Sequence, residues 1–303
     1  MTLVAALRNI GKDWRGPARR LALGLSTLLG LHRRGFFVPY RYAGRTTGAN
    51  ASPHYGAVAT ILERERARFA QILSEIDEFS APLIQIGHAN DARVLSPRWD
   101  QDWFAPLDAA VAYALVRNRR PHRIVEVGSG HSTRFLLRAI HDGQTKTRLT
   151  SIDPEPRADL PSDGVDVRKA TIQEVGAAPF SGLAPGDFVF IDSSHVLMPG
   201  SDVDVLVNAV LPMLPSGVFV HFHDVFLPDD YPADWRWRAY NEQSVVAALL
   251  QSGAYAPVFA SHYAATRMTS LVGQSVVATL PRLESARDSS LWLVKRSVEI
   301  APP

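Results

Sequence analysis

Between Arg120 and Lys295 the hydrophobic period of the chain changes repeatedly, and this alternation restricts the fold more than any other feature. Short apolar runs RIVEV (123–127), RLTSID (148–153), VDVRKA (165–170), DFVFID (187–192) and GVFVHFHD (217–224) are separated by helical stretches at 132–140, 172–175 and 202–214. Runs of this length, rich in Val, Ile and Phe, are expected of strands covered on both faces of a parallel sheet. A helix at 237–251, a strand at 255–260 and a last strand at 290–295 complete the series. The pattern predicts a doubly wound α/β fold, with a mostly parallel sheet.

Upstream, Ile61, Leu62, Phe69, Ile72, Leu73 and Ile76 fall near one face of a helix spanning 55–79. Residues 80–100 contain Pro82, Gly87, Asn90 and Pro97 and read as a linker with one short strand. A further helix is expected over 106–118, with Pro106 in its first turn. The division is therefore an N-terminal helical and extended cap, residues 1–98, and a second domain, residues 99–303. The aromatic segment Phe36, Phe37, Tyr40 and Tyr42 suits a pocket lining, so the cap is expected to cover the acceptor site.

The chain has no cysteine, which excludes disulfides, thiolate metal sites and cysteine nucleophiles. A net charge of +2 is too small to argue for nucleic acid. Residues 1–34 are locally basic: Arg8, Lys12, Arg15, Arg19, Arg20, Arg33 and Arg34 face one acid, Asp13. The apolar stretch 21–31 inside this segment is shorter than a bilayer span, which takes about 20 residues. Its layout is not that of a signal peptide, so a cytoplasmic protein is expected. The favoured reading is a helix packed on its own domain; the alternative is peripheral membrane contact through residues 1–34. The composition is also compatible with a homo-oligomer.

The sequence EVGSGHST (126–133) joins the first strand to a helix. Gly128 and Gly130 permit a tight turn and let a ligand approach the backbone. Thr133 stands where a dinucleotide-binding turn has its third glycine, and no Lys-Ser/Thr pair follows, so diphosphate binding is disfavoured.

A strand ending E-x-G-x-G resembles the first motif of class I methyltransferases that use S-adenosylmethionine (SAM). The resemblance implies a seven-stranded Rossmann-like methyltransferase fold and a SAM site at Glu126, Gly128, Ser129, Gly130, Asp153, Thr171, Ile172 and Asp192. Glu126 would lie by the cofactor's amino-acid portion, Asp153 would hold the ribose hydroxyls, and 170–172 would wrap the adenine. The run 187–225 resembles a subgroup, methyltransferase family 24-like, in which strand four ends in ID-x-x-H and strand five in HD. Asp192, His195, Asp202, His223 and Asp224 match, with Ser193 replacing the subgroup's usual glycine.

Asp192 and Asp224 end strands four and five, so both should reach the carboxyl edge of the sheet. Related O-methyltransferases place a divalent cation there, which implies Asp192 and Asp224 as ligands for Mg2+ or Mn2+. Val225 follows where catechol-type enzymes continue Asp-Asn, so no third ligand is identified. His195, His223 and Asp192 are the candidate catalytic residues, the two imidazoles as general bases. On an extended strand His223 and Asp224 point to opposite faces, so both can serve only if the chain turns there. His221 lies inside the strand and is expected to be structural. Tyr231, Trp235, Tyr240 and Asn241 suit an acceptor wall or lid, and packing of the cap onto the sheet by Trp235 and Trp237 is an equal alternative.

These residues predict an O-methyltransferase acting on a small hydroxylated molecule or glycan. Carboxylate–histidine clusters also ligate iron, so a metal-dependent hydroxylase-like enzyme on the same fold is one alternative. The basic N-terminus motivates another, a non-catalytic membrane-associated binding protein.

Overall fold

A computed structural model describes residues 17–42, 55–87, 96–156, 159–160 and 163–297. Two compact units are distinguished, residues 54–229 with 241–303, and residues 1–53 with 230–240.

In the larger unit the strands are β1 (Arg123–Val127), β2 (Arg148–Ile152), β3 (Val165–Arg168), β4 (Phe188–Ile191), β5 (Phe219–Phe222), β6 (Tyr255–Ala260) and β7 (Leu291–Lys295). They form one sheet in the order β3-β2-β1-β4-β5-β7-β6. Strands β1 to β5 pair in parallel, while β7 lies antiparallel between β5 and β6. This is the mostly parallel seven-stranded sheet expected from the apolar runs. β1 sits between β2 and β4, so the chain reverses its direction of travel across the sheet there. The carboxyl ends of β1 and β4 consequently flank the crevice where open α/β sheets bind ligands.

Strand register builds an aromatic row through the middle of the core. Phe190 pairs with His221, and His221 with Trp292. The Phe190 and His221 rings stack with centroids 3.6 Å apart. His221 is fully buried, and burial first, then the nearby His223, hold its basicity well below the usual imidazole range. Its Nε2 lies 2.8 Å from Ser290 Oγ, so this neutral ring serves the core, as the sequence suggests.

The helix expected over 55–79 is two helices, Gly56–Arg64 and Arg66–Asp77, broken at Glu65. The 80–100 region, read as a linker with one short strand, has its residues 88–95 outside the described residues and contains a helix, Ser80–Gln85. Pro82 falls in its first turn, where a missing N–H costs no helical hydrogen bond. These helices bury Leu62, Phe69, Ile72, Ile76 and Leu83 in the core of the larger unit. Phe69 meets Phe259 and Tyr263 edge-on, with centroids 5.6 and 5.7 Å away. Sequence reasoning groups the same helices with the N-terminal cap, because contact with a distant strand leaves no local signature. The late helix begins at Glu242 rather than 237, since Ala239 takes a left-handed conformation with φ 55° and ends a short 3-10 turn, Ala233–Arg238. Helices Ser261–Arg267 and Thr269–Gln274 were not anticipated.

In the smaller unit, Arg238 lies over the Trp235 ring at 4.2 Å, and Tyr240 meets the Tyr231 and Trp235 rings edge-on. The unit also holds a helix, Pro17–Leu28. Its leucines at 21, 25 and 28 are exposed. Arg8, Lys12, Arg15 and the rest of 1–16 lie outside the described residues.

Candidate active site

The turn after β1 is held by close backbone contacts. Gly128 N–H donates to Ile152 O at 2.9 Å, continuing the β1–β2 ladder one residue beyond the strand. Gly128 has φ +86°, and a Cβ there would stand 2.0 Å from the Asp192 carbonyl oxygen. Its glycine is thus required twice, by its dihedral and by the passage of the β4 chain against it. Gly130 differs: a Cβ there would meet nothing within 4 Å.

Glu126 is completely buried beneath this turn. Its Oε1 accepts from Ser132 Oγ and its Oε2 from Thr133 Oγ1, each at 2.7 Å, while Thr133 Oγ1 accepts from Gly130 N–H at 3.0 Å. The carboxyl group braces the helix His131–Asp142 against the strand. Burial, opposed by those hydroxyl donors, pushes its pKa up to about 7.

Asp153 follows β2 and clamps the same turn. Its Oδ2 accepts from Ser129 N–H at 2.8 Å and Ser129 Oγ at 3.0 Å, and its Oδ1 accepts from Glu155 N–H at 2.8 Å. A carboxylate has about four acceptor positions, so Oδ1 retains capacity for a ligand hydroxyl. Thr171 caps the short helix Ile172–Val175, and its N–H and hydroxyl both donate to Glu174 Oε2. The Ile172 side chain is 2% exposed and belongs to the core, which leaves its backbone for any ligand contact.

His131, which sequence reasoning missed, begins the helix immediately after Gly130. Burial first, then the Arg134 and Arg98 charges, push its pKa down to about 4. Its ring is neutral at pH 7, and its buried Nδ1 has no hydrogen-bond partner.

At the ends of β4 and β5, two imidazoles are enclosed by carboxylates. His195 Nε2 lies 3.3 Å from Asp192 Oδ1 and 3.4 Å from Asp224 Oδ2, and its Nδ1 lies 2.9 Å from Glu242 Oε2. His223 Nδ1 lies 3.5 Å from Asp192 Oδ1 and 3.4 Å from Asp224 Oδ1, with Asp108 Oδ2 3.8 Å from its Nε2. The sequence condition for joint service is met: Asp224 has φ +54°, so the chain turns at the end of β5 and both side chains converge. His195 has φ +59°. Two non-glycine residues in left-handed geometry at the same sheet edge store backbone strain, on the order of 1–3 kcal/mol each.

Burial alone would lower the basicity of both imidazoles. The carboxylates outweigh it and hold each well above the ordinary histidine range. For His195 these are Asp192, Glu242 and Asp224; for His223 they are Asp224, Asp192 and Asp108. Asp192 is held well below the usual carboxylate range because His223 and His195 overcome the effect of burial. An imidazolium has no lone pair with which to take a proton. The direction of both shifts favours the imidazolium form, which donates rather than accepts hydrogen bonds.

Glu242 is the second residue sequence reasoning missed; only its neighbour Asn241 is singled out there. Asn241 N–H and Glu242 N–H both donate to the His195 carbonyl, at 3.0 and 3.2 Å, and Asn241 Oδ1 accepts from Leu197 N–H at 2.7 Å. Asn241 thus pins the loop after β4. Asp202 holds the other side of that loop through the Ser194 N–H at 2.8 Å and the Ser194 hydroxyl. Asp108 is fully buried and accepts from Ser289 N–H and Ser290 N–H, each at 3.0 Å.

Asp192 and Asp224, the expected metal pair, do share a centre, but imidazole nitrogens stand between them. Among the described residues, no group of three or more His, Cys, Asp and Glu side chains could hold a metal ion. The nearest imidazole nitrogens of His195 and His223 lie 3.3–3.5 Å from both carboxylates. The arrangement does not fit the divalent-cation centre implied by the resemblance. The SAM expectation fits better, since a Cβ at Gly130 would meet nothing within 4 Å and the buried His131 Nδ1 has no hydrogen-bond partner.

Residues 125–225, a third of the chain, match a family described as a methyltransferase domain. Over those residues the chain is similar to a methyltransferase domain. No curated protein gives a significant match. Among solved structures, the methyltransferase domain is similar to the SAH-bound Podospora anserina methyltransferase PaMTH1, at 15% identity and TM-score 0.37, covering 87% of this chain and 100% of that one. A second is the O-methyltransferase TomG from Streptomyces achromogenes in complex with SAM, at 15% identity and TM-score 0.39, with 81% and 100% covered. A third is an O-methyltransferase from Bacillus cereus in complex with SAH, at 17% identity and TM-score 0.36, with 75% and 91% covered. At these scores the likeness does not extend to substrate or chemistry.

Proposed function

We propose that this methyltransferase transfers the methyl group to oxygen, on a small hydroxylated molecule or a glycan. The observation that carries the reading is the double position of Asp192. Its carbonyl packs against Gly128 of the cofactor turn, and its side chain is the most exposed part of the carboxylate–imidazole cluster, 30% exposed against 4% for His195. A hydroxyl placed on Asp192 would stand at the border of the two sites.

The cradle residues divide the binding work. Asp153 offers its remaining acceptor position to a ribose hydroxyl, the His131 Nδ1 lone pair can accept from an ammonium group, and Ser129 and Gly130 present backbone to the ligand. SAM, when bound, supplies an electrophilic sulfonium methyl. Asp192 would accept a hydrogen bond from the acceptor hydroxyl, orient its oxygen for in-line attack, and take the hydroxyl proton as the C–O bond replaces the methyl–sulfur bond and the thioether leaves. His195 and His223 keep Asp192 ionised and fixed in place. Because they also make it a weak base, acceptors with acidic hydroxyls, such as phenols and enols, are favoured within the proposed class.

The test is a transfer assay with methyl-labelled SAM against panels of phenols, enols and glycans, beside calorimetric titration with SAM and with NAD. SAM binding with label recovered in an O-methyl ether supports the reading. Label recovered on nitrogen or carbon, or binding of NAD in place of SAM, rejects it.

A further inference from the structure

Of the fifteen large apolar side chains exposed among the described residues, ten fall between Leu21 and Tyr42. They are ordered rather than scattered. Leu21, Leu25 and Leu28 recur at the spacing of one helix face and are 64%, 48% and 62% exposed. Leu29 and Phe37, both 69% exposed, extend the apolar surface beyond the helix end.

The hydroxyls of Ser26 and Thr27 are satisfied from within this segment. Thr27 Oγ1 donates to Leu23 O at 2.9 Å and accepts from Arg34 N–H at 2.9 Å, and Ser26 Oγ donates to His32 O at 3.2 Å. Gly30, at φ +68°, lets the chain turn back over the helix end. The turn brings the Arg34 backbone against Thr27; Arg33 and Arg34 are both exposed, and the Arg33 guanidinium lies 5.1 Å from the Phe36 ring centroid. Over residues 1–42 the sequence contains eight Arg and Lys residues against the single acid Asp13.

We infer that residues 17–42 form a docking surface for an anionic lipid bilayer. An apolar helix face edged by basic side chains matches a layer of acyl chains beneath negative headgroups. The helix lies in the interface and does not cross it, since no helix among the described residues is long and apolar enough to span a membrane. A second copy of the chain is a poorer occupant. A two-fold contact would set this basic segment against itself, with one acid per copy to compensate. Nucleic acid would leave the leucines in water.

The experiment is flotation of the full chain with vesicles of phosphatidylcholine alone or mixed with phosphatidylserine, at low and high salt. The expected result is binding to the mixed vesicles, weakened by salt, and little binding to phosphatidylcholine alone. The variant Leu25→Glu/Leu28→Glu should reduce the bound fraction on the order of tenfold or more, because both apolar contacts are lost. The side chains are exposed, so circular dichroism and SAM titration should be unchanged and would show that the fold persists. The proposal is overturned if the chain fails to float with anionic vesicles, or if the double variant floats equally well. It is also overturned if sedimentation shows a dimer that the same substitutions dissociate, which would give the face to a second copy.

Discussion

The carbonyl oxygen of Asp192 lies where the Cβ of any residue other than glycine at position 128 would have to be, 2.0 Å from that ideal atom. This contact ties the turn after β1 to the loop after β4, and so ties the glycine-rich turn to the carboxylate–imidazole cluster. Gly128 is therefore a packing position as well as a turn position.

The two glycines of the turn should respond differently to substitution. Gly128→Ala must move the β4 loop or strain a positive φ, and should cost on the order of 1–3 kcal/mol or prevent folding. Gly130→Val adds bulk into open space and should leave the melting temperature within a few degrees while SAM affinity falls at least tenfold. Thermal denaturation and calorimetry of both variants separate the outcomes. A Gly128→Ala protein as stable as the parent would remove the packing argument.

Glu126 makes a pH-dependent contribution to stability. Its folded pKa, about 7, lies above the ordinary 4.5, so the folded state binds more protons than the unfolded chain between those values. Stability from this group is fully present below about pH 4.5 and is lost as pH rises through about 7. The expected loss is roughly 3 kcal/mol across that window. Urea titrations of the parent and Glu126→Gln at pH 5 and pH 8 check this: the amide cannot ionise, so the variant should lack that part of the decline.

Asp192 and Glu242 act on the same imidazole from opposite sides, and their removal should have different effects. Asp192→Asn should reduce turnover on the order of 100-fold, as expected when a group that takes a proton in the transition state is lost. Glu242→Gln keeps an acceptor near His195 Nδ1 but removes its charge. The His195 imidazole should then titrate at lower pH, which nuclear magnetic resonance of the ring nitrogens would detect. Activity of the parent should survive excess chelator, since histidine N–H groups stand between Asp192 and Asp224. Loss of turnover on chelation, restored by magnesium or manganese, would return those carboxylates to a metal.

The sequence determined the sheet. Short runs such as DFVFID can be buried on both faces only in a covered parallel sheet, and that information is local to each run. It also located the Gly128 turn and the ends of β4 and β5, because strand ends are marked by glycine and acidic residues. It could not assign the charge state of His195. That depends on Glu242, 47 positions away, and on Asp224, brought near by one left-handed residue at the end of β5. Nor could it assign the face of Leu21, Leu25 and Leu28, because helical spacing shows that a stripe exists but not whether protein covers it. Period and turn chemistry act between neighbours along the chain. Ionisation and burial depend on which distant groups share a small volume, and only the tertiary structure decides that.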